Sequence, residues 1–248
     1  MQVTKIKAVI FDLFGTLIEN FNAQEYRQVL SRMASSLSLP EASFYDLWYN
    51  SFNQRALGIF KTLEESIRFI SKELNKPVVK SGIEEAIRIR LDYTKKTLVP
   101  REDAIETLKQ LKKIGFKIGL ISDCTFEVPQ IWNTTTLSQY FDNVIFSCSV
   151  GIVKPDPRIY HLACKNLKVK PKNCLYIGDG GSRELSGALH IGMFPILIRS
   201  PYEKDSVRYE EEDWNGQRIN SLSEILTYFN RRGSYKESNF NFSPTLRD

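Results

Sequence analysis

The run Ala8-Val9-Ile10-Phe11-Asp12-Leu13-Phe14-Gly15-Thr16-Leu17 constrains this chain more than any other segment. An apolar strand near the N-terminus delivers one carboxylate straight into a glycine turn. In an open parallel sheet the reactive groups gather where strands end at their carboxyl edge, so Asp12 is a candidate nucleophile for attack on phosphorus or carbon. Taken alone, Asp12 reads equally as a residue that begins a turn.

Three further segments share this form. Lys117 to Ile121 reads as a second buried strand and ends in Ser122-Asp123. Val153-Lys154-Pro155-Asp156-Pro157 presents a lysine in a proline-stiffened loop, and Leu175-Tyr176-Ile177-Gly178-Asp179-Gly180-Gly181-Ser182-Arg183-Glu184 is another strand running into an acidic glycine loop. Between them helices and strands alternate. The pattern predicts a helix over Glu102 to Lys113 stopped by Gly115 as a left-handed cap, then the strand ending at Ser122. Strand Val144 to Phe146, helix Pro157 to Leu167, strand Cys174 to Ile177, helix Ser182 to Ile191, strand Pro195 to Ile198 and helix Leu222 to Phe229 follow. Such a βα series predicts an α/β fold built on a doubly wound parallel sheet with right-handed crossovers.

From Asn22 to Thr97 the pattern is helical throughout, with apolar spacing such as Tyr26, Leu30, Met33 and Leu37. Two capping-box starts are expected there, Thr62 to Glu65 and Ser81 to Glu84. Phe44, Trp48, Tyr49 and Phe52 are spaced like helix core and read as packing between helices rather than a substrate box. Arg231 to Asp248 is polar and carries Gly233, Ser234, Ser238 and Pro244, so a flexible or loosely docked tail is expected.

With 248 residues and 42% hydrophobic content, the chain can bury a full core and leave room for a second small domain. No apolar stretch approaches about 18 residues, and the first strand begins too early for a signal peptide, so a cytoplasmic protein is expected. Cys124, Cys148, Cys164 and Cys174 are scattered, with only two histidines in the chain; they read as reduced core residues, with neither zinc nor disulfides implied. The net charge of +5, from 34 basic and 29 acidic residues, suits anionic substrates but falls short of a nucleic-acid footprint. Lys109, Lys112, Lys113 and Lys117 read as a solvated helix face. No nucleic-acid or membrane partner is expected, and the oligomeric state is left open.

Together the four segments, in this order and spacing and with a helical insertion after the first, resemble the haloacid dehalogenase superfamily from Ile6 to Asn230. The resemblance implies a Rossmann-like core over residues 1–17 and 100–230, a small all-helical cap over 18–99, and a tail over 231–248. Leu17 to Phe21 and Thr97 to Arg101 would be the hinges on which the cap closes to exclude water. It further implies that Asp12 both binds magnesium and attacks phosphorus, with the backbone carbonyl of Phe14 as another ligand and Asp179 opposite. Glu184 stands where the superfamily has a further metal acid, acting directly or through water; it reads also as a helix N-terminal acid. Ser122 would donate to a phosphoryl oxygen, or simply cap a turn, and Lys154 would stabilise the transferring group, or lie on the surface beside a turn. Thr16 and Asp123 are expected substrate contacts. A small phosphorylated substrate follows from the same likeness.

One position departs from the pattern. Most phosphatases of the superfamily carry aspartate two residues after the nucleophile, where it protonates the leaving alcohol; here Phe14 occupies it. Losing a positioned general acid costs about a hundredfold to ten-thousandfold in rate. One reconciliation is a phosphatase whose acid comes from the cap or solvent, or whose substrate, an acyl or aryl phosphate, needs little protonation. A second is a 2-haloacid dehalogenase, since those enzymes have an aromatic residue there and halide leaves without a proton. They do not use magnesium, however, whereas Gly178-Asp179 and Glu184 remain here, and Arg27 aligns only loosely with their carboxylate-binding arginine. A third is a catalytically weak binding or regulatory member. Phosphonate cleavage is a narrower option: it requires a small residue at position 14 and a Schiff-base lysine, and Lys61 and Lys72 read instead as solvated helix lysines.

Overall fold

The computed structural model describes residues 6–199 and 211–229, so the expected C-terminal tail lies outside the described residues. β1 (Ala8–Phe11) is followed by the helices α1 (Ala23–Ser36), α2 (Glu41–Asn50), α3 (Phe52–Ala56), α4 (Leu63–Glu73) and α5 (Lys80–Thr97). Next come α6 (Ala104–Lys113), β2 (Lys117–Ser122), α7 (Glu127–Trp132), β3 (Asn143–Phe146), α8 (Ser147–Val150), α9 (Pro157–Leu167), β4 (Cys174–Gly178), α10 (Glu184–His190), β5 (Phe194–Ile198) and β6 (Arg218–Ile219). A 3-10 segment, Leu222–Tyr228, closes the described chain.

Every strand of the sheet is parallel to its neighbours, in the order β3-β2-β1-β4-β5-β6. All residues of β1 and β4 are buried, because a parallel sheet covered on both faces takes uninterrupted apolar strands. Val9 and Phe11 face one core with Leu120, Ile177 and Leu108. Ala8 and Ile10 face the other with Ile121, Tyr160 and Tyr176. β1 therefore lies at the centre, flanked by β2 and β4, where the winding reverses and opens a crevice at the carboxyl ends of the strands. The Asp12 N–H donates to the Ile177 carbonyl at 2.9 Å, which fixes Asp12 at that edge beside β4.

Helices α1 to α5 bury a separate apolar cluster that includes Leu30, Met33, Phe44, Trp48, Ile67, Ile70 and Ala86. The chain leaves the sheet and returns to it through two adjoining segments. Ile18 and Pro100 form an antiparallel bridge, the Arg101 N–H donates to the Leu17 carbonyl at 2.9 Å, and Arg101 Nη2 donates to the Gly15 carbonyl at 2.7 Å. Among the described residues no helix is long and apolar enough to cross a membrane.

Local expectations were met unevenly. Gly115 does end α6 in the left-handed region, with φ at +93°. Thr62 caps α4 by accepting the Glu65 N–H at 3.1 Å, but the Glu65 carboxylate accepts the Lys61 N–H instead of closing the box on Thr62. Ser81 is no cap: α5 starts at Lys80 after Val79, whose carbonyl already accepts the Ile83 N–H, and the close approach of Gly82 to the Ser36 carbonyl sets where α5 sits against α1. The reciprocal box occurs at Ser221 and Glu224, which the sequence reading passed over. The helix expected from Ser182 begins properly only at Glu184, after Ser182 and Arg183 take positive φ. Short elements, α7, α8 and β6, carried too little periodicity to read.

Candidate active site

Asp12 is 5% exposed at the end of β1. Lys154 Nζ donates to Asp12 Oδ1 at 2.6 Å and to Glu184 Oε2 at 2.5 Å, bridging the first and last of the four sequence segments. Asp123, just beyond β2, accepts the Lys154 backbone N–H with both carboxylate oxygens at 3.1 Å and so anchors the lysine loop, whose Lys154–Pro155 bond is cis. The Thr16 hydroxyl donates to Asp12 Oδ2 at 3.2 Å.

Glu184 is held at every polar atom by its surroundings. The Tyr176 hydroxyl donates to Oε2 at 2.8 Å, the Gly180 N–H to Oε1 at 3.1 Å, and the Tyr160 hydroxyl to the Glu184 backbone carbonyl at 3.0 Å. Gly178 is required beside it, since a Cβ there would lie 2.1 Å from Glu184 Oε1. Asp179 Oδ2 accepts from Asn20 Nδ2 at 2.8 Å, and Asp179 Oδ1 from the Gly181 N–H at 3.0 Å. Gly15, with φ at +73°, leaves that carboxylate its space, because a Cβ would meet Asp179 Oδ2 at 2.3 Å.

Carboxylate oxygens of Asp12, Asp179 and Glu184 all lie within 4.8 Å of one another. The donor set is hard oxygen, of the kind that suits a divalent cation such as magnesium. The electrostatics record the strain of this crowding. Burial, reinforced by the Asp179 charge, lifts the Asp12 carboxyl above its ordinary value despite Lys154. Burial and Asp12 push Glu184 well above the usual range. Burial raises Asp123 to about 6. Burial alone would lower the Lys154 ammonium, but Asp12 and Glu184 outweigh it and hold the proton firmly.

Over these groups lies a cavity of about 140 Å³. Asp12, Phe14, Asp123, Lys154 and Asp179 line its sheet side; Phe21, Tyr26, Tyr49, Phe52, Arg55 and Arg90 line it from the helical side. Thr16, Ser122 and Glu184 are fully buried and stand behind the wall. Thr16, expected as a substrate contact, donates its hydroxyl to Asp12 from behind the wall. Among the described residues, Ser122 Oγ is buried with no hydrogen-bond partner.

The helix aromatics divide. Phe44 and Trp48 pack in the helical core as expected, whereas Tyr49, 43% exposed, and Phe52 face the cavity. Arg27 stacks over the Tyr45 ring at 4.7 Å and does not line the cavity. Cys124, Cys148, Cys164 and Cys174 are buried and free; burial raises the Cys124 thiol well above its ordinary value. Sequence reasoning missed Asn20, Arg55, Arg90, Tyr160 and Tyr176. Tyr176 alone had a local signal, lying inside the fourth segment.

A central parallel strand that ends in a buried carboxylate, with a lysine and two further acids gathered at the point where the winding reverses, defines a hydrolytic enzyme of the α/β class. The chain belongs to the haloacid dehalogenase-like hydrolases, whose family profile matches residues 6–192. Among curated relatives, it is 23% identical over 228 residues to a glyceraldehyde 3-phosphate phosphatase of Methanocaldococcus jannaschii, covering 89% of this chain and 96% of the relative. It is 28% identical over 197 residues to an (S)-2-haloacid dehalogenase of Pseudomonas fluorescens, covering 77% of this chain and 83% of the relative. A solved 2-haloacid dehalogenase of Pseudomonas syringae pv. Tomato shares the fold with a TM-score of 0.66 at 20% identity, over 90% of this chain and 97% of that one.

Proposed function

We propose that the chain is a magnesium-dependent phosphatase that works through an aspartyl-phosphate on Asp12 and acts on a small phosphorylated metabolite. The observation that carries this reading is the buried cluster of Asp12, Asp179 and Glu184, an all-oxygen donor set gathered beside Lys154. Asp12, Asp179 and the Phe14 carbonyl would hold the ion, with Glu184 reaching it through water because its oxygens already serve Lys154, Tyr176 and Gly180; bound there, the ion neutralises phosphoryl oxygens.

In the first step an Asp12 carboxylate oxygen attacks phosphorus, and the P–O bond to the leaving group breaks with its electron pair on the departing oxygen. Thr16 holds Asp12 in place, and Lys154 opposes the negative charge that builds on the transferring group. Ser122, whose hydroxyl stands behind the wall with no partner among the described residues, would be a further donor to a phosphoryl oxygen. Water then attacks the acyl phosphate, releasing inorganic phosphate and the Asp12 carboxylate. Helices between residues 18 and 99 form the cap, hinged at the Ile18–Pro100 bridge, and their aromatic side chains shield the intermediate. Phe14 packs on Phe21 at 4.9 Å and supplies no proton, so the favoured substrates have leaving groups that need little protonation.

Two measurements check this. Phosphate release from phenyl phosphate and acetyl phosphate is expected to stop on chelation and to return with magnesium, while 2-chloropropionate yields no halide; metal-independent halide release would establish dehalogenation instead. Phe14→Asp is expected to raise turnover of alkyl phosphates by about 10²- to 10⁴-fold, the size of a positioned general acid, with a much smaller effect on phenyl phosphate. An unchanged ratio of the two rates would show that Phe14 is not the reason for slow alkyl turnover.

A further inference from the structure

The helical wall of the cavity carries charge that the proposed phosphoryl chemistry does not use. Arg55 and Arg90 are 2% and 3% exposed. Arg90 Nε and Nη2 both bind Glu127 Oε1, at 2.8 and 2.7 Å, across from α5 to α7. Arg55 is satisfied by neutral groups, the Trp48 carbonyl at 2.5 Å and the Ser51 hydroxyl at 3.4 Å. Among the described residues, the two buried guanidiniums thus have one carboxylate between them, Glu127, one positive charge more than it answers. Arg90 Nη1 is buried with no hydrogen-bond partner among the described residues, as is the Tyr93 hydroxyl nearby. Leaving a charged donor orphaned in a protein interior is costly, so such a group marks a place where a partner belongs. Burial also draws the Arg55 guanidinium below its ordinary value, as expected of a cation short of compensation.

Between this positive end and Asp12 the walls are aromatic. The Arg90 guanidinium lies 5.5 Å from the Phe21 ring centre, Phe21 lies 4.9 Å from Phe14, and Phe14 follows Asp12 by two residues. Tyr49 and Phe52 face the same space. A volume of about 140 Å³ compares with the roughly 150 Å³ that accommodates a benzene ring in an apolar protein cavity.

We infer that Arg90, backed by Arg55, receives a carboxylate at the far end of the substrate, and that the substrate is an aryl phosphate bearing an acid group, its ring held between Phe14, Phe21, Tyr49 and Phe52. The inference rests on the phosphatase reading and deepens it. A phenolic leaving group departs without the general acid that Phe14 replaces, so the aromatic wall and the missing acid have one explanation. The alternative role for Arg90 is a latch between α5 and α7 through Glu127 alone.

The test compares 4-carboxyphenyl phosphate with its neutral isostere, 4-carbamoylphenyl phosphate, in the presence of magnesium. Wild-type protein is expected to favour the acid by about 10- to 100-fold in kcat/KM, mostly through KM, the range for one charge-assisted contact. Arg90→Met is expected to bring the ratio of the two esters to about 1. Because that change orphans Glu127, the paired variant Arg90→Met/Glu127→Gln carries the same comparison without an unpaired buried carboxylate, while Arg55 keeps its contacts with the Trp48 carbonyl and the Ser51 hydroxyl. Equal turnover of the two esters by wild type, or an equal loss on both in the paired variant, overturns the inference and leaves Arg90 as a latch with the phosphatase reading intact. If neither ester is hydrolysed, the phosphatase reading fails separately, and calorimetric binding of 4-phosphonobenzoate against 4-phosphonobenzamide decides on Arg90: tighter binding of the acid, lost in the paired variant, upholds recognition, and equal binding refutes it.

Discussion

Asp12→Asn is expected to reduce phosphate release by at least about 10⁴-fold while leaving the protein folded and at least as stable as wild type at pH 7.5 without divalent ions. The rate loss follows from removing the atom that attacks phosphorus, which no neighbour replaces: Glu184 is enclosed by Lys154, Tyr176 and Gly180, and Asp123 is bound to the lysine loop. The stability expectation follows from the raised Asp12 carboxyl. A carboxyl whose folded value lies above its unfolded 3.8 favours folding at low pH and loses that contribution as pH climbs through the folded value. Asparagine carries no such penalty, and Lys154 keeps Glu184 as its partner. Thermal unfolding from pH 4 to 8 should therefore show a shallower decline for the variant, and magnesium should raise the melting temperature of wild type more than that of Asp12→Asn. A variant that retains a tenth of wild-type turnover would remove Asp12 from the chemistry.

Lys154→Met is expected to damage both folding and catalysis. It removes the ammonium that faces Asp12 and Glu184 and leaves two buried carboxylates opposed to each other and to Asp179. Breaking a buried ion pair from one side costs about 3–5 kcal/mol, which for a chain of this size corresponds to a fall of roughly 6–20 °C in melting temperature. The sign with pH is clear. Lys154 is held protonated above its ordinary 10.5, so the wild-type contribution is whole at neutral pH and is lost only in alkali. Magnesium should restore part of the lost stability, since a cation answers the same carboxylates. In single-turnover measurements the chemical step should slow by about 10²- to 10³-fold, as for loss of one electrostatic contact to a transition state. A melting temperature within about 2 °C of wild type, a span of about 0.5–1 kcal/mol, would show that the three acids do not depend on Lys154.

Much of the site was legible because its chemistry sits within a residue or two of strand ends. Apolar runs announce β1, β2 and β4, and the residue after each is placed by the sheet: Asp12, Asp123 and Asp179 needed no knowledge of long-range contacts beyond parallel pairing. Lys154 was read from its order among the segments, and its ammonium reaches Asp12 and Glu184. The errors came where local pattern met packing. Tyr49 and Phe52 share helical spacing with Phe44 and Trp48, but the helix breaks at Ser51 between α2 and α3, and that break turns Phe52 toward the cavity. Ser81 had a capping pattern that the contact between Gly82 and α1 overrode.

The sequence by itself determined the α/β alternation, the central strand carrying Asp12, the helical insertion after it and the loss of an acid at Phe14, because each depends on periodicity or on residues adjacent in the chain. Only the tertiary structure decided that Thr16 serves Asp12 rather than the cavity, that Tyr160 and Tyr176 clamp Glu184 from α9 and β4, and that Arg55 and Arg90 meet over one carboxylate of α7. Those partners are far apart in sequence and carry no periodic signal. Their roles come from burial, where a polar atom must find a partner or be left short of one, and burial is a property of the packed chain alone.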